Sequence, residues 1–213
     1  MAAGHGRGAA RVPVPCSVRI LAGELKGRRL TTPRGAVTRP TADQVRIALM
    51  DTLAPRLPGA RVLDLFAGAG GVGLEALSRG AVHTTFVERD RHAVAALRDN
   101  IASLGVQDRA RVLGEDVARA LDRLVREGAT FDVVFLDPPY ESSLGDTALD
   151  RVGAGSLSTV HGVVIAQHLT KRPPVTAGAL VPFRTRRFGE TTLTFFRSAA
   201  YDAGSRADPS ERI

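Results

Sequence analysis

Along the chain, short apolar runs alternate with stretches in which apolar residues recur every three or four positions, the pattern of strands separated by amphipathic helices. Arg61-Val-Leu-Asp-Leu-Phe predicts a strand, Ala67-Gly-Ala-Gly-Gly-Val-Gly a glycine turn, and Leu74 to Arg79 a helix. Thr84-Thr-Phe-Val-Glu88 predicts a second strand, followed by a helix from Asp90 to Leu104 that Gly105 stops. A third strand, Ala110 to Leu113, ends at Glu115-Asp116 and leads into a helix through Arg126. The β-branched and aromatic run Phe131-Asp-Val-Val-Phe-Leu136 is a fourth strand, and Gly162 to Ala166, after a helix near Thr147 to Val152, a fifth. Val181 to Phe188 and Thr191 to Arg197 flank Gly189-Glu190, a hairpin signal. The class is α/β: a doubly wound, Rossmann-like sheet, mostly parallel, with one antiparallel strand at the close.

Before this core the pattern changes. Residues 1–16 are rich in Gly, Ala and Pro and are expected to be disordered. Residues 17–36 read as a β-hairpin appendage: Val18 to Leu21 is one strand, Gly23-Glu24 and Lys26-Gly27 supply turns, and Arg28 to Thr31 begins another. Residues 37–200 form the main domain, and residues 201–213 a polar tail expected to be disordered. The main domain opens with a helix from about Ala42 to Leu53, with Thr41 and Gln44 placed for a capping box. Val45, Ala48, Leu49 and Leu53 form its buried stripe, which leaves Arg39 and Arg46 to face a ligand or solvent.

Composition narrows the function classes. The chain has 213 residues, 44% of them apolar, and a formal net charge of +7. Its cations are arginines apart from Lys26 and Lys171. Such a balance suits a polyanionic partner, most simply nucleic acid, although GC-rich coding produces the same bias. Arg19, Lys26, Arg28 and Arg29 crowd the small hairpin, where they suit phosphate contacts or a solvated face. The single cysteine, Cys16, excludes an internal disulfide framework and multi-cysteine metal sites, and no metal is expected. No apolar run reaches membrane-spanning length and the first residues lack a secretory signal, so the expected location is cytoplasmic.

Candidate chemistry gathers at strand ends. Asp137-Pro138-Pro139-Tyr140 follows the fourth strand, where prolines end the ladder and present a carboxylate, rigid carbonyls and a ring at the sheet's ligand edge. An amine conjugated to a base ring is a poor nucleophile, because its lone pair is delocalised. Asp137 and the Pro138 carbonyl can accept its hydrogens and favour a lone pair aimed at an electrophile, while Tyr140 offers a stacking face. Gly68-Ala-Gly-Gly-Val-Gly73 satisfies the dinucleotide pattern G-x-G-x-x-G. Asp64 just before it disfavours a pyrophosphate and favours S-adenosylmethionine, whose ammonium and sulfonium are positive. Glu88 is placed to accept ribose hydroxyls, as it would be for NAD, and Asp116 the adenine amino group.

These residues together resemble the S-adenosylmethionine-dependent methyltransferases, and more narrowly the RsmD family of bacterial ribosomal RNA guanine-N2 methyltransferases. The resemblance runs from about Val18 to Arg197 and is carried by Arg19-Ile-Leu-Ala-Gly-Glu-Leu-Lys-Gly-Arg-Arg-Leu30, Arg39-Pro-Thr-Ala-Asp-Gln-Val-Arg46, Val62-Leu-Asp-Leu-Phe-Ala-Gly-Ala-Gly70, Gly73-Leu-Glu-Ala-Leu-Ser-Arg-Gly80, Asp137-Pro-Pro-Tyr140 and Phe188-Gly-Glu-Thr-Thr-Leu193. It implies methyl transfer from S-adenosyl-L-methionine to the N2 amine of a guanine in small-subunit (16S) ribosomal RNA, naked or in a ribonucleoprotein particle; the oligomeric state stays open, with a monomer the simplest expectation. On that reading Asp64, Phe66, Gly68, Gly70, Glu88 and Asp116 hold the cofactor; Asp137, Pro138 and Tyr140 position the base; and Arg19, Lys26, Arg28, Arg29 and Arg39 grip phosphates. Two residues depart from the family pattern, Ile47 and Gln167, each standing where an acid is usual. Adenine-N6 methyltransferases share the Asp-Pro-Pro-Tyr motif; an NAD-dependent oxidoreductase and a non-catalytic RNA-binding module are the alternatives of another class.

Overall fold

The computed structural model describes residues 18–33, 40–139 and 143–201. The expected disordered segments, Arg39 and Tyr140 therefore lie outside the described residues, apart from the first residue of the tail, Tyr201, which is helical.

A seven-stranded sheet carries the domain. In chain order its strands are β3 (Arg61–Leu65), β4 (His83–Val87), β5 (Ala110–Leu113), β6 (Phe131–Leu136), β7 (Ser158–Leu169), β8 (Leu180–Phe188) and β9 (Thr191–Ser198). They lie in the order β5-β4-β3-β6-β7-β9-β8. The first five are parallel, and β9 is the antiparallel member, paired with β7 on one side and β8 on the other. The closing hairpin thus inserts its second strand into the sheet and leaves its first at the edge. Periodicity predicts both strands but not which of them joins β7.

The helices α1 (Pro40–Leu53), α2 (Gly71–Ser78), α3 (Arg91–Leu104), α4 (Val117–Arg126) and α5 (Leu144–Ala154) cover both faces. Strand alternation sorts the core into two clusters. Val62, Phe86, Val133, Phe135 and Ile165 point towards Leu49, Leu74 and Leu97 of α1, α2 and α3. Leu63, Leu65, Val134, Leu136 and Val164 point the other way, towards Leu121, Leu124, Leu149 and Val152 of α4 and α5. Burying such side chains contributes roughly 1.5–3 kcal/mol each, so a one-residue slip of any central strand would be strongly opposed.

Boundaries move where local sequence is ambiguous. Helix α2 begins at Gly71, three residues before the expected start, because the turn glycines pack closely. A Cβ on Gly73 would lie 2.3 Å from the Phe86 ring, and Gly70, at φ 87, turns the chain into the helix. Helix α5 runs Leu144–Ala154 and β7 starts at Ser158, both longer than expected.

The hairpin appendage pairs over two residues on each side, β1 (Val18–Arg19) with β2 (Arg29–Leu30). Its expected continuation through Leu21 is lost because those amides have a better acceptor. Leu21 and Ala22 donate to the two oxygens of Glu75, at 2.7 and 3.0 Å. Glu75 is fully buried and also accepts from Arg79 Nε at 2.9 Å. At the other side, Thr31 N–H donates to Asn100 Oδ1, and Asn100 Nδ2 donates to the carbonyls of Thr31 and Ala69. Ile20 and Leu30 enter the core beside α2 and α3, so the appendage is bolted to the domain.

Candidate functional site

In this strand order the direction of winding reverses between β3 and β6, the place where an open α/β sheet forms a ligand crevice at its carboxyl edge. Asp64 lies near the end of β3 and Asp137 directly after β6. Asp64 is opposite Phe135, and alternation puts Asp64 and Asp137 on the same face, that of α1 and α2.

Two cavities meet there. The larger, of about 360 Å³, is lined by Phe66, Glu88, Asp116, Asp137 and Pro138, with Leu121 and Ala148 among its apolar walls. A smaller one, of about 200 Å³, is lined by Val18, Asp43, Arg46, Asp64, Phe66, Gly71, Asp137 and Gln167. Phe66 and Asp137 belong to both and form the partition. Among the described residues Phe66 is the non-glycine residue with positive φ, at 64°. A backbone held in that region costs about 1–3 kcal/mol, and it is spent where the ring must divide the two spaces. A third cavity, of about 500 Å³, opens on the other side of Pro138 and is lined by Gln167, His168, Lys171 and Arg172.

The acids of the larger cavity are held by backbone amides. Glu88 accepts from Gly68 N and Asp90 N, both at 2.8 Å. Asp116 caps α4 by accepting from Ala118 N at 2.9 Å. Gly68 and Gly70 shape the turn that approaches this edge, both with positive φ.

The acids of the smaller cavity are in a different state. Asp64 is 2% exposed and accepts from Gly73 N at 2.9 Å. Burial pushes its carboxyl up to about 7; the Gly73 bond opposes that rise, and the charges of Asp137 and Glu88 add to it. Asp137 is also pushed up to about 7, by burial, against the pull of a hydrogen bond from Gln167. Gln167 Nε2 donates to Asp137 Oδ1 at 2.8 Å. The bond follows from register: Leu136 is paired with Ala166, so the next residues of the two strands, Asp137 and Gln167, stand side by side. The departure from the family pattern at Gln167 therefore falls on the side chain that holds the central carboxylate. The other departure, Ile47, is exposed on α1.

Arg46 is not where the helical stripe alone puts it. It is 7% exposed, with Nη2 donating to Asp43 at 3.0 Å and Nη1 buried without a hydrogen-bond partner. Sequence reasoning left it a choice of ligand or solvent; the stripe position next to Val45 places it at the helix–sheet boundary, where only packing decides. Glu75 and Asn100, which anchor the appendage, were missed, and their signal was a polar residue on the inner face of an otherwise apolar helix.

The basic residues stay outside. Arg19, Lys26, Arg28 and Arg29 are all exposed. Arg19 donates to the Gly27 carbonyl and Arg28 to that of Ser103, which orients the guanidinium groups without neutralising them. The appendage reaches the crevice at Val18. The glycine turn is poorly disposed to a pyrophosphate: the amides of Gly68 and Gly73 already serve carboxylates.

The family model described as conserved hypothetical protein 95 matches residues 18–197. Ribosomal RNA small subunit methyltransferase D of Escherichia coli (strain K12) is 41% identical over 60% of this chain and 62% of its own length. The protein of that name from Haemophilus influenzae is 32% identical over 75% of this chain and 82% of its own. A solved structure of a hypothetical protein from Thermus thermophilus is 35% identical with a TM-score of 0.73, covering 84% of this chain and 99% of that one. The chain therefore belongs to the conserved hypothetical protein 95 family, the RsmD-type methyltransferases.

Proposed function

We propose that the protein methylates ribosomal RNA of the small subunit at the exocyclic N2 amine of a guanine, with S-adenosyl-L-methionine as methyl donor. One observation carries the reading: Asp137, at the end of β6, stands in the partition between the two cavities with one oxygen held by Gln167. The donor supplies a methyl group made electrophilic by its sulfonium. Glu88 and Asp116 hold its ribose and adenine, with Phe66, Gly68, Gly70 and Asp64 shaping the passage towards the reacting atoms. Asp137 and the Pro138 carbonyl accept the guanine amine hydrogens, which aims the nitrogen lone pair across the partition, and Tyr140 stacks on the base. As the new N–C bond forms and the S–C bond breaks, the amine proton becomes acidic and passes to Asp137. A carboxyl held up to about 7 receives it readily near neutral pH.

Arg19, Lys26, Arg28, Arg29 and Arg39 contact phosphates of the RNA. The rigid docking of the appendage on Glu75 and Asn100, and its approach to the crevice at Val18, support this role. Replacing Arg28 and Arg29 by Glu lowers the salt dependence of RNA binding by roughly one unit of slope per lost contact; an unchanged slope removes the appendage from the interface.

The reaction is tested with tritiated S-adenosylmethionine, using small ribosomal subunits and their naked RNA from a strain lacking this gene. Label in N2-methylguanosine is the expected product after digestion to nucleosides. Label in N6-methyladenosine would overturn the acceptor and keep the methyl transfer. No label on either substrate, with cofactor bound, would overturn ribosomal RNA as the acceptor.

A further inference from the structure

The smaller cavity carries a group that none of the roles above uses. Arg46 is 7% exposed, yet its Nη1 has no hydrogen-bond partner. An unpaired buried N–H costs roughly 1–3 kcal/mol, more on a charged group. Native structures rarely tolerate that without a use for it. Asp43 takes the other nitrogen, Nη2, and is itself largely exposed, so the pair leaves one face of the guanidinium open. That face lies over the start of α2: a Cβ built on Gly71 would be 3.9 Å from Nη1.

The same walls hold Asp64 and Asp137. A cavity with one partly unsatisfied cation and, besides its partner Asp43, two further carboxylates does not suit a plain anion, which the acids would repel, or a plain cation, which Arg46 would repel. It suits a zwitterion. Phe66 and Asp137 line both cavities, so a molecule with its nucleoside against Glu88 and Asp116 has a way past the partition for an amino-acid tail.

We infer that Arg46 is the receptor for the α-carboxylate of the cofactor's methionine portion, with Asp64 serving the α-ammonium of the same tail. This rests on S-adenosylmethionine being the methyl donor and adds to that reading the residue that recognises the amino-acid head. Arg46 Nη1 donates to a carboxylate oxygen; the fork geometry of a guanidinium and its fixed charge suit that partner better than an ammonium would. Binding then satisfies the orphaned nitrogen, so the ligand gains the strength of a desolvated charge pair.

The test compares S-adenosylhomocysteine with its decarboxylated analogue, S-adenosyl-3-thiopropylamine, by calorimetric titration of the intact protein, so that no turnover is needed. Wild-type protein should bind S-adenosylhomocysteine about 10- to 150-fold more tightly than the analogue, the range for one hydrogen-bonded charged group. Arg46→Met should weaken S-adenosylhomocysteine by a similar factor and leave the analogue within about twofold, erasing the discrimination. Arg46→Lys, which keeps a buried cation, should retain part of it. Equal loss of both ligands in Arg46→Met would make Arg46 a support of the fold and overturn the inference. So would wild-type protein that binds both ligands equally, a result that needs no variant and leaves the cofactor assignment standing. Wild-type protein that binds neither would overturn the cofactor assignment and this subsite with it.

Discussion

The two cavities that meet at Phe66 and Asp137 are built on opposite principles. In the larger, Glu88 and Asp116 are each satisfied by backbone amides: those of Asp90 and of Gly68, on the turn after β3, for one, and that of Ala118 for the other. The Asp90 and Ala118 bonds are local, and the Gly68 bond joins the loops after β3 and β4. In the smaller, Asp64, Asp137 and Arg46 come from three different elements and are buried at a cost: two carboxyls pushed up to about 7 and a guanidinium nitrogen left unpaired. On the proposed reading the first cavity receives the neutral hydroxyl and amino groups of the cofactor's nucleoside. The second holds groups that are costly in the free protein and that, on the proposed reading, a bound, reacting pair relieves. Losses in the larger cavity should therefore act on affinity and loss of Asp137 on the chemistry, with Arg46 the smaller cavity's own contribution to binding.

The largest effect should come from Asp137→Ala. Methyl transfer in a single turnover falls about 10²–10⁴-fold, the range for loss of a positioned acid–base group, while S-adenosylhomocysteine affinity changes less than threefold. A large loss of affinity would erase the division of labour. Glu88→Ala is the converse: affinity for S-adenosylhomocysteine falls about 10- to 100-fold, while the rate at saturating donor stays within a few-fold. A fall in that saturated rate as deep as the one in Asp137→Ala would place Glu88 on the chemical side.

A pH profile sharpens the contrast. The single-turnover rate should rise with pH to a plateau with its midpoint near 7, as Asp137 ionises. Gln167→Leu removes the bond that favours the charged form, so the midpoint moves upward; an unmoved midpoint would mean that another group titrates. The smallest effect is on stability. Between an ordinary 3.8 and the folded value of about 7 for Asp137, the folded chain binds more protons than the unfolded chain, and its stability falls as pH rises through that window. Asp137→Asn has no such proton to lose. It should melt a few degrees higher than wild type at pH 8, with the gain vanishing as pH approaches 4. A gain independent of pH would trace to packing.

Much of the crevice was legible in the chain because it is built from strand ends. Asp64, Glu88, Asp116 and Asp137 each follow or close a short apolar run, and a parallel sheet brings such ends to one edge. The glycine turn was legible too, since close helix–strand packing and positive φ restrict what can stand at Gly70 and Gly73. Gln167 was legible as a departure but not as a partner, for its contact with Asp137 depends on the register of β7 against β6. The fixing of the appendage was not visible, because Glu75 and Asn100 act on amides more than 50 residues away in the chain.

By itself, then, the sequence determined the α/β class, the parallel core, the row of carboxylates and the glycine-shaped turn, all of which follow from local periodicity and from backbone limits on single residues. Tertiary structure decided that β9 lies between β7 and β8, that Gln167 holds Asp137, that Arg46 turns inward with one nitrogen unpaired, and that Glu75 anchors the basic appendage. Each of those depends on which surfaces exclude water from one another, a property of the packed chain that no local pattern carries.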